Sequence, residues 1–352
     1  MRFDKRARII VGAVVALIVV VGIAVAVTAG GGDDEQAATT TTSTTTTSTT
    51  STTVPPGPVL PLLGTPGEIP NRPALVVKLD NAPLGRPQAG LNQADVVYEE
   101  MVEGGITRLF TVFHSADPES VGAVRSARST DIGLAAPLNR PLFSYSGTNA
   151  AFQRLIGAAP LVDVGIDSVP GAYRRERGRP APYNLFASTE ALRAATPEGL
   201  GAPAPLFLYR LPGEPVVGGE PAAGTHIVYQ RVVTTDVEWR FEGDRWVRTQ
   251  NGTQHVDAAG ERVSATNVVV QLTNYIDTPF VDQSGEPVPE AELVGEGEAW
   301  VLMDGQVVVG RWRKTAPEAR TEYLTADGQP ILFTPGRTWV ELAPPDAAEL
   351  LR

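Results

Sequence analysis

The chain has 352 residues, no cysteine and a net charge of −11 from 29 basic and 40 acidic side chains. That composition excludes disulfides, thiolate metal sites and a lipid-modified N-terminal cysteine, and the lack of a basic excess argues against nucleic acid. The length exceeds one average domain and favours a two-part body.

Residues 1–8, MRFDKRAR, form a basic tail, and Ile9 to Gly30 then run without a charge. A helix of that length spans about 33 Å, enough for a hydrocarbon core. The basic flank precedes it and GGGDDE follows. Positive-inside bias therefore puts the N-terminus in the cytoplasm and the rest outside, as a single-pass protein of the cell membrane. A cleaved signal peptide is the competing reading, although its apolar region normally runs about 7–15 residues. Residues 31–70 are Thr/Ser-rich and end in proline; with little apolar surface to bury, they read as a disordered linker.

The body begins near Arg72. PALVVKLDN reads as a strand ending at Asp80-Asn81. ADVVYEEMVEGGITRLFTVF gives two strands around Glu103-Gly104-Gly105, a hairpin signal. VGAVRSARSTD and PLFSYSGTNAAF each read as a strand entering a helix, with Ser126 or Ser129 as candidate N-caps of the first. ASTEALRAA adds a third cap and helix at Ser188 or Thr189. This alternation predicts a layered α/β domain over 71–210. A β-rich domain is expected over 218–345, where Glu242-Gly243-Asp244, Asn251-Gly252, Asp304-Gly305 and Asp327-Gly328 punctuate short strands. The fold class is therefore α+β, preceded by one transmembrane helix and the linker. The strand tryptophans could form an aromatic ligand face, but core packing is their commoner use.

The stretches ALVVKLDNAPLGRPQAGLNQADVVYEEMVEGGITRLFTVF, VGAVRSARSTD, APYNLFAS, HVDAAGERVSATNVVVQ, VGRWRKT and TPGRTWVEL resemble the YerB-like family. Its members are exported or membrane-anchored bacterial proteins built of DUF3048 N- and C-terminal domains. The resemblance covers nearly all of residues 72–345 and implies architecture and location, not a reaction. Many members carry a lipobox cysteine; this chain has none.

Candidate site residues gather where strands end in polar clusters: Asp80, then Arg125, Ser126 and Arg128, then Ser146 and Thr148. Glu99, Glu103 and Arg108 on the hairpin join this ligand-binding set. If the strands are neighbours, the arginines and hydroxyls surround an anion-sized space, because arginine grips carboxylate or phosphate bidentately. The alternative is an internal network in which Asp80, Glu99, Glu100, Glu103 or Asp131 neutralise Arg125 and Arg128. Glu99 and Glu100, adjacent on a strand, point to opposite faces and cannot act together. The three histidines share no metal-ligand spacing, no HExxH or G-x-S-x-G motif occurs, and neither a metal nor a cofactor is expected. The catalytic residues of any reaction are not legible. The favoured function is a membrane-tethered extracytoplasmic protein that binds an anionic cell-envelope ligand, such as a cell-wall polymer, without chemistry of its own. The alternatives are an envelope hydrolase of glycan or phosphodiester bonds using Asp80 or Glu103, and a scaffold that binds an envelope protein.

Overall fold

The computed structural model describes residues 57–281 and 285–352. The basic tail, the apolar segment 9–30 and most of the expected linker fall outside the described residues. Among the described residues no helix is long and apolar enough to cross a membrane. The described residues form one compact unit. The linker expected to run to residue 70 gives way earlier. Leu62 is buried, Tyr209 Oη donates to its carbonyl at 2.6 Å, and Val59 bridges Pro66.

The centre is a mixed sheet of 11 strands. From one edge to the other run Glu322–Thr325, Gln306–Lys314, Gly295–Met303, Asn267–Leu272, Thr338–Ala343, Val96–Met101, Thr107–Phe113, Leu75–Asp80, Leu142–Ser144 and Val162–Asp163; Glu220–Pro221 pairs beside Gln306–Lys314. The two expected domains thus contribute to one sheet. They meet where Val96–Met101 runs parallel to Thr338–Ala343.

Sheet dominates where layered α/β was expected for the first half. Thr107–Phe113 pairs antiparallel with both Leu75–Asp80 and Val96–Met101; with the latter it must, because the three-residue turn at Glu103–Gly105 is too short for a parallel crossover. Only Leu142–Ser144 and Val162–Asp163 extend this part in parallel. The three anticipated helices are present but short: α1 (Ser129–Ala135), α2 (Ala150–Ala158) and α3 (Thr189–Arg193). Their caps follow side-chain reach. Asn149 Oδ1 accepts from the amides of Ala151 and Phe152, Ser188 Oγ accepts from Ala191, and Asp131 accepts from the Arg128 amide at the start of α1.

Both faces of the central sheet are covered, which explains why Leu75–Asp80 is buried along its whole length. Leu75, Val77 and Leu79 face a core shared with a six-stranded sheet built on Gly224–Gln230, Thr234–Glu242 and Arg245–Gln250. Ala74 and Val76 face the other way, toward Leu134 of α1, Ile156 of α2, Phe207 and Phe333. Burying the large apolar side chains of both layers, at ~1.5–3 kcal/mol each, is the stabilisation available to a cysteine-free body. Trp239, Trp246, Trp312 and Trp339 are buried in these layers, so they are core residues and present no ligand face. Asn251-Gly252 and Asp304-Gly305 have positive φ at both residues, the two-residue turn that matches strand twist.

Gly105 shows where sheet packing dictates a residue. It has φ +89°, and a Cβ there would lie 2.5 Å from the Val233 carbonyl and 2.6 Å from the Arg231 amide, both backbone of the second sheet. Gly243, in a hairpin, also has positive φ but faces open space. Gly105→Ala should therefore destabilise by at least ~2 kcal/mol more than Gly243→Ala, since strain is common to both and the backbone collision is not. Urea denaturation of the two variants checks this, and equal losses would contradict it.

Candidate functional site

Leu75–Asp80 and Leu142–Ser144 lie parallel, then part at their carboxyl ends. The segment Ala123–Arg125 fills the gap: Asp80 N donates to Ala123 O, Arg125 N to Lys78 O, and Ser146 N to Arg125 O. The strand ends expected to converge do so through these bonds. Arg108 is the register partner of both Asp80 and Glu100, so its side chain rises on the same face of the sheet.

The result is a cleft of about 530 Å³. It brings together Glu103, Arg108, Arg125, Ser126, Arg128, Ser146 and Thr148 of the expected set. The second half of the chain supplies the opposite wall through Val281 and Val288, from the hairpin of Tyr275–Val281 and Pro287–Ala291. Phe280 of that hairpin packs edge-on against Phe152 of α2, ring centroids 4.7 Å apart. Both halves therefore share one cleft.

Asp80 and Glu99 do not line it. Asp80 sits beneath, buried, with Oδ1 accepting from the Ala82 amide at 2.6 Å and Oδ2 2.5 Å from Arg125 Nε. Glu99 points to the other face, as the opposed geometry of Glu99 and Glu100 requires. It accepts from Arg248 Nη2 at 2.6 and 2.9 Å, and Oε1 also accepts from Asn81 and Thr107.

The three cleft arginines are committed to different degrees. Arg128 is spent. Its Nε and Nη2 grip Glu103 at 2.5 and 2.7 Å, and Nη1 donates to Ala127 O at 2.8 Å. Burial alone would raise the Glu103 carboxyl, but the hydrogen bonds and charge of Arg128, with Arg108 adding, hold it below its ordinary value. Arg125 is half spent: Nε forms the ion pair with Asp80 without hydrogen-bond alignment, and its two outer nitrogens donate to no described residue. Its guanidinium also lies 5.5 Å from the Tyr183 ring centroid.

Arg108 differs from both. It is only 4% exposed, Nη1 donates to Ser126 O at 3.1 Å, and Nε is buried without a partner. Among the described residues no carboxylate comes within ion-pair distance of it. Burial pushes its pKa down to about 9, neighbouring Arg128 adding to the shift and Glu103 opposing it. At neutral pH the group stays charged. The sequence places Arg108 only as one strand residue among others; that the acids around it pair with other cations is a tertiary fact.

Lys78, Glu100 and Asp131 were outside the expected site set. Beneath the cleft, fully buried Lys78 Nζ contacts Glu100 and, at 2.6 Å, Asp131. Burial raises Glu100, Lys78 opposing and Asp131 reinforcing. The sequence signal was a lysine set among the apolar residues of the strand LVVKLD. A second buried cluster lies between the sheets around Arg248, Glu99 and Glu341, with His255 accepting from Arg248 Nη1 at 2.7 Å. His114 and His226 sit elsewhere, bonded to Pro70 O and Asp236. No group of three or more metal-ligating side chains is present among the described residues.

Family models for the N- and C-terminal domains of a protein of unknown function, DUF3048, match residues 62–200 and 225–340. The chain belongs to the DUF3048 family. It is 27% identical to the Bacillus subtilis (strain 168) protein named "Putative lipoprotein YerB", over 82% of this chain and 88% of that one. The crystal structure of Bacillus subtilis YerB superposes with a TM-score of 0.73 at 24% identity, covering 84% of this chain and all of that one, so the two share a fold.

Arg128→Ala should cost about 2 kcal/mol, since two aligned hydrogen bonds to buried Glu103 are lost, and Arg125→Ala about 1 kcal/mol, since its contact with buried Asp80 lacks that alignment. Because the folded pKa of Glu103 is depressed, the stability from its pairing is present above its unfolded value of 4.5 and is lost as pH falls through the folded value. The gap between wild type and Arg128→Ala should therefore narrow below pH ~4.5. Chemical denaturation of both variants across pH checks the ranking and the sign.

Proposed function

We propose that this DUF3048 protein is tethered to the membrane through its apolar N-terminal segment and binds an anionic ligand of the cell envelope in the cleft of Arg108, Arg125 and Arg128. The observation that carries the reading is Arg108: a buried guanidinium at a cleft, with no carboxylate of its own within ion-pair reach. Leaving such a charge unpaired is costly, and an anion entering the cleft relieves that cost. Arg125 contributes outer nitrogens, and Arg128 serves as a strut that fixes Glu103.

Location is supported by the basic tail and the uncharged run Ile9 to Gly30, and by the relative's name, "Putative lipoprotein YerB". The chain has no cysteine to carry a lipid, so the apolar segment takes the tethering role. The hydrolase alternative needs a proton donor or acceptor in the cleft. Glu103 is the acid that lines it, and both its oxygens are bound to Arg128, which favours binding over hydrolysis.

Full-length protein with Arg108→Gln and Arg125→Gln should lose retention on purified cell-wall polymer, by at least about tenfold in Kd, the scale of one lost charge-assisted hydrogen bond. Arg125→Gln alone, with a melting temperature near wild type, should already weaken retention. Unchanged retention by both variants would overturn the proposal.

A further inference from the structure

We infer that the anion is a phosphodiester flanked by hydroxyl-bearing carbons, the linkage of a sugar- or polyol-phosphate; this rests on the reading that the cleft binds an anion. Four features of the cleft select that chemistry.

The first is charge. Three guanidinium groups face two carboxylates, Asp80 and Glu103, which leaves one positive charge for a ligand. The Lys78–Glu100–Asp131 group lies beneath, fully buried, pairs within itself and does not line the cleft. A phosphodiester carries one negative charge. A phosphate monoester would bring a second against Asp80 and Glu103.

The second is the direction of the donors. The floor offers Arg108 and the outer nitrogens of Arg125. The rim offers the loop Ser146–Asn149, where the amides of Gly147, Thr148 and Asn149 donate to no carbonyl among the described residues. Gly147, with φ +127°, has open space where a Cβ would stand, so the loop is uncovered at that residue. A carboxylate presents its lone pairs in one plane; a tetrahedral phosphoryl group sends oxygens to floor and rim at once.

Third, the hydroxyls of Ser126 and Ser146 line the cleft and make no hydrogen bond among the described residues. They suit ligand hydroxyls beside the phosphate. Fourth, Phe152, Val281 and Val288 form an apolar wall where carbon, not a further charged oxygen, is accommodated. The volume, about 530 Å³, exceeds what an isolated phosphate fills and lies in the range of small-ligand sites.

The test uses the full chain in detergent and calorimetric titration with three probes. These are soluble poly(glycerol phosphate), polygalacturonate of matched length as the carboxylate control, and nanodiscs of phosphatidylglycerol against phosphatidylcholine. Saturable binding of poly(glycerol phosphate), weakened at least about tenfold by Arg125→Gln and absent with polygalacturonate, is the expected result. Arginine-dependent binding confined to phosphatidylglycerol nanodiscs would uphold the phosphodiester and identify a lipid headgroup as its source. Arginine-dependent binding of polygalacturonate alone would overturn the phosphodiester while leaving an anion cleft. Failure of every probe would overturn both. Arg108→Lys keeps a buried cation without the planar fork, and equal affinity in a folded Arg108→Lys variant would also count against phosphodiester recognition.

Discussion

Two carboxylates lie side by side at the seam of this molecule, and one arginine makes that tolerable. Glu99 and Glu341 are register partners on adjacent parallel strands, so both project from the same face of the central sheet toward the second sheet. Both are completely buried. Burial and the neighbouring Glu99 push Glu341 up. Arg248, from the second sheet, enters between them: it holds Glu99 through Nη2, approaches Glu341 to 3.9 Å, and lies over the rings of Trp239 and Trp339. Tyr229 and Trp239 donate to Glu341 at 2.8 and 2.7 Å. The guanidinium from the second sheet sits where the strand from residue 96 and the strand from residue 338 bring these two carboxylates together. A buried pair of this kind is weak support for stability and stronger support for register, since a one-residue slip would bury an unpaired charge.

The seam determines where the cleft can form. With Glu99 turned toward Arg248, strand alternation turns Glu100 to the opposite face, where Lys78 meets it. The same register places Arg108 opposite Glu100 and Asp80. Glu100, however, is engaged by Lys78, and Asp80 lies against Arg125. Every acid near Arg108 is thus already engaged by another cation. Arg108 lacks an ion pair because of that prior engagement, with Glu100 and Asp80 placed by sheet register and Glu103 by the Glu103–Gly105 turn.

Much of this was legible in the sequence. Alternating apolar strands, Asn-Gly and Asp-Gly turns and the three helices are local signals, although Asp131, accepting from the Arg128 amide, and not Ser126 or Ser129, caps the first helix. Strand ends at Asp80, Arg125 and Ser146 also pointed to a shared site, because their polar clusters follow apolar runs. Partner choice was less legible. Arg125, Arg128 and Arg108 look alike in sequence, yet one is bound by Glu103, one leans on Asp80 and one has neither. Which acid reaches which arginine depends on distances across three strands and an inserted segment. Arg248 gave no sign of burial either, since an arginine within RWVRTQ reads as an exposed strand face.

The apolar wall adds a constraint that charge alone does not. Val281 and Val288 come from a two-stranded hairpin that reaches the first half of the chain at Phe152 and, through Ala291 N donating to Thr130 Oγ1, at α1. The same hairpin is pinned at its base by Tyr275, whose hydroxyl donates to Leu342 O and accepts from Met101 N, one partner on each side of the seam. Its wall is therefore fixed to both strands that the Arg248 clamp joins. A ligand in the cleft would touch arginines from the first half and valines from the second. Its binding energy would then depend on the two halves keeping one register, which gives a single polypeptide reason to fuse them into one sheet instead of carrying two independent domains.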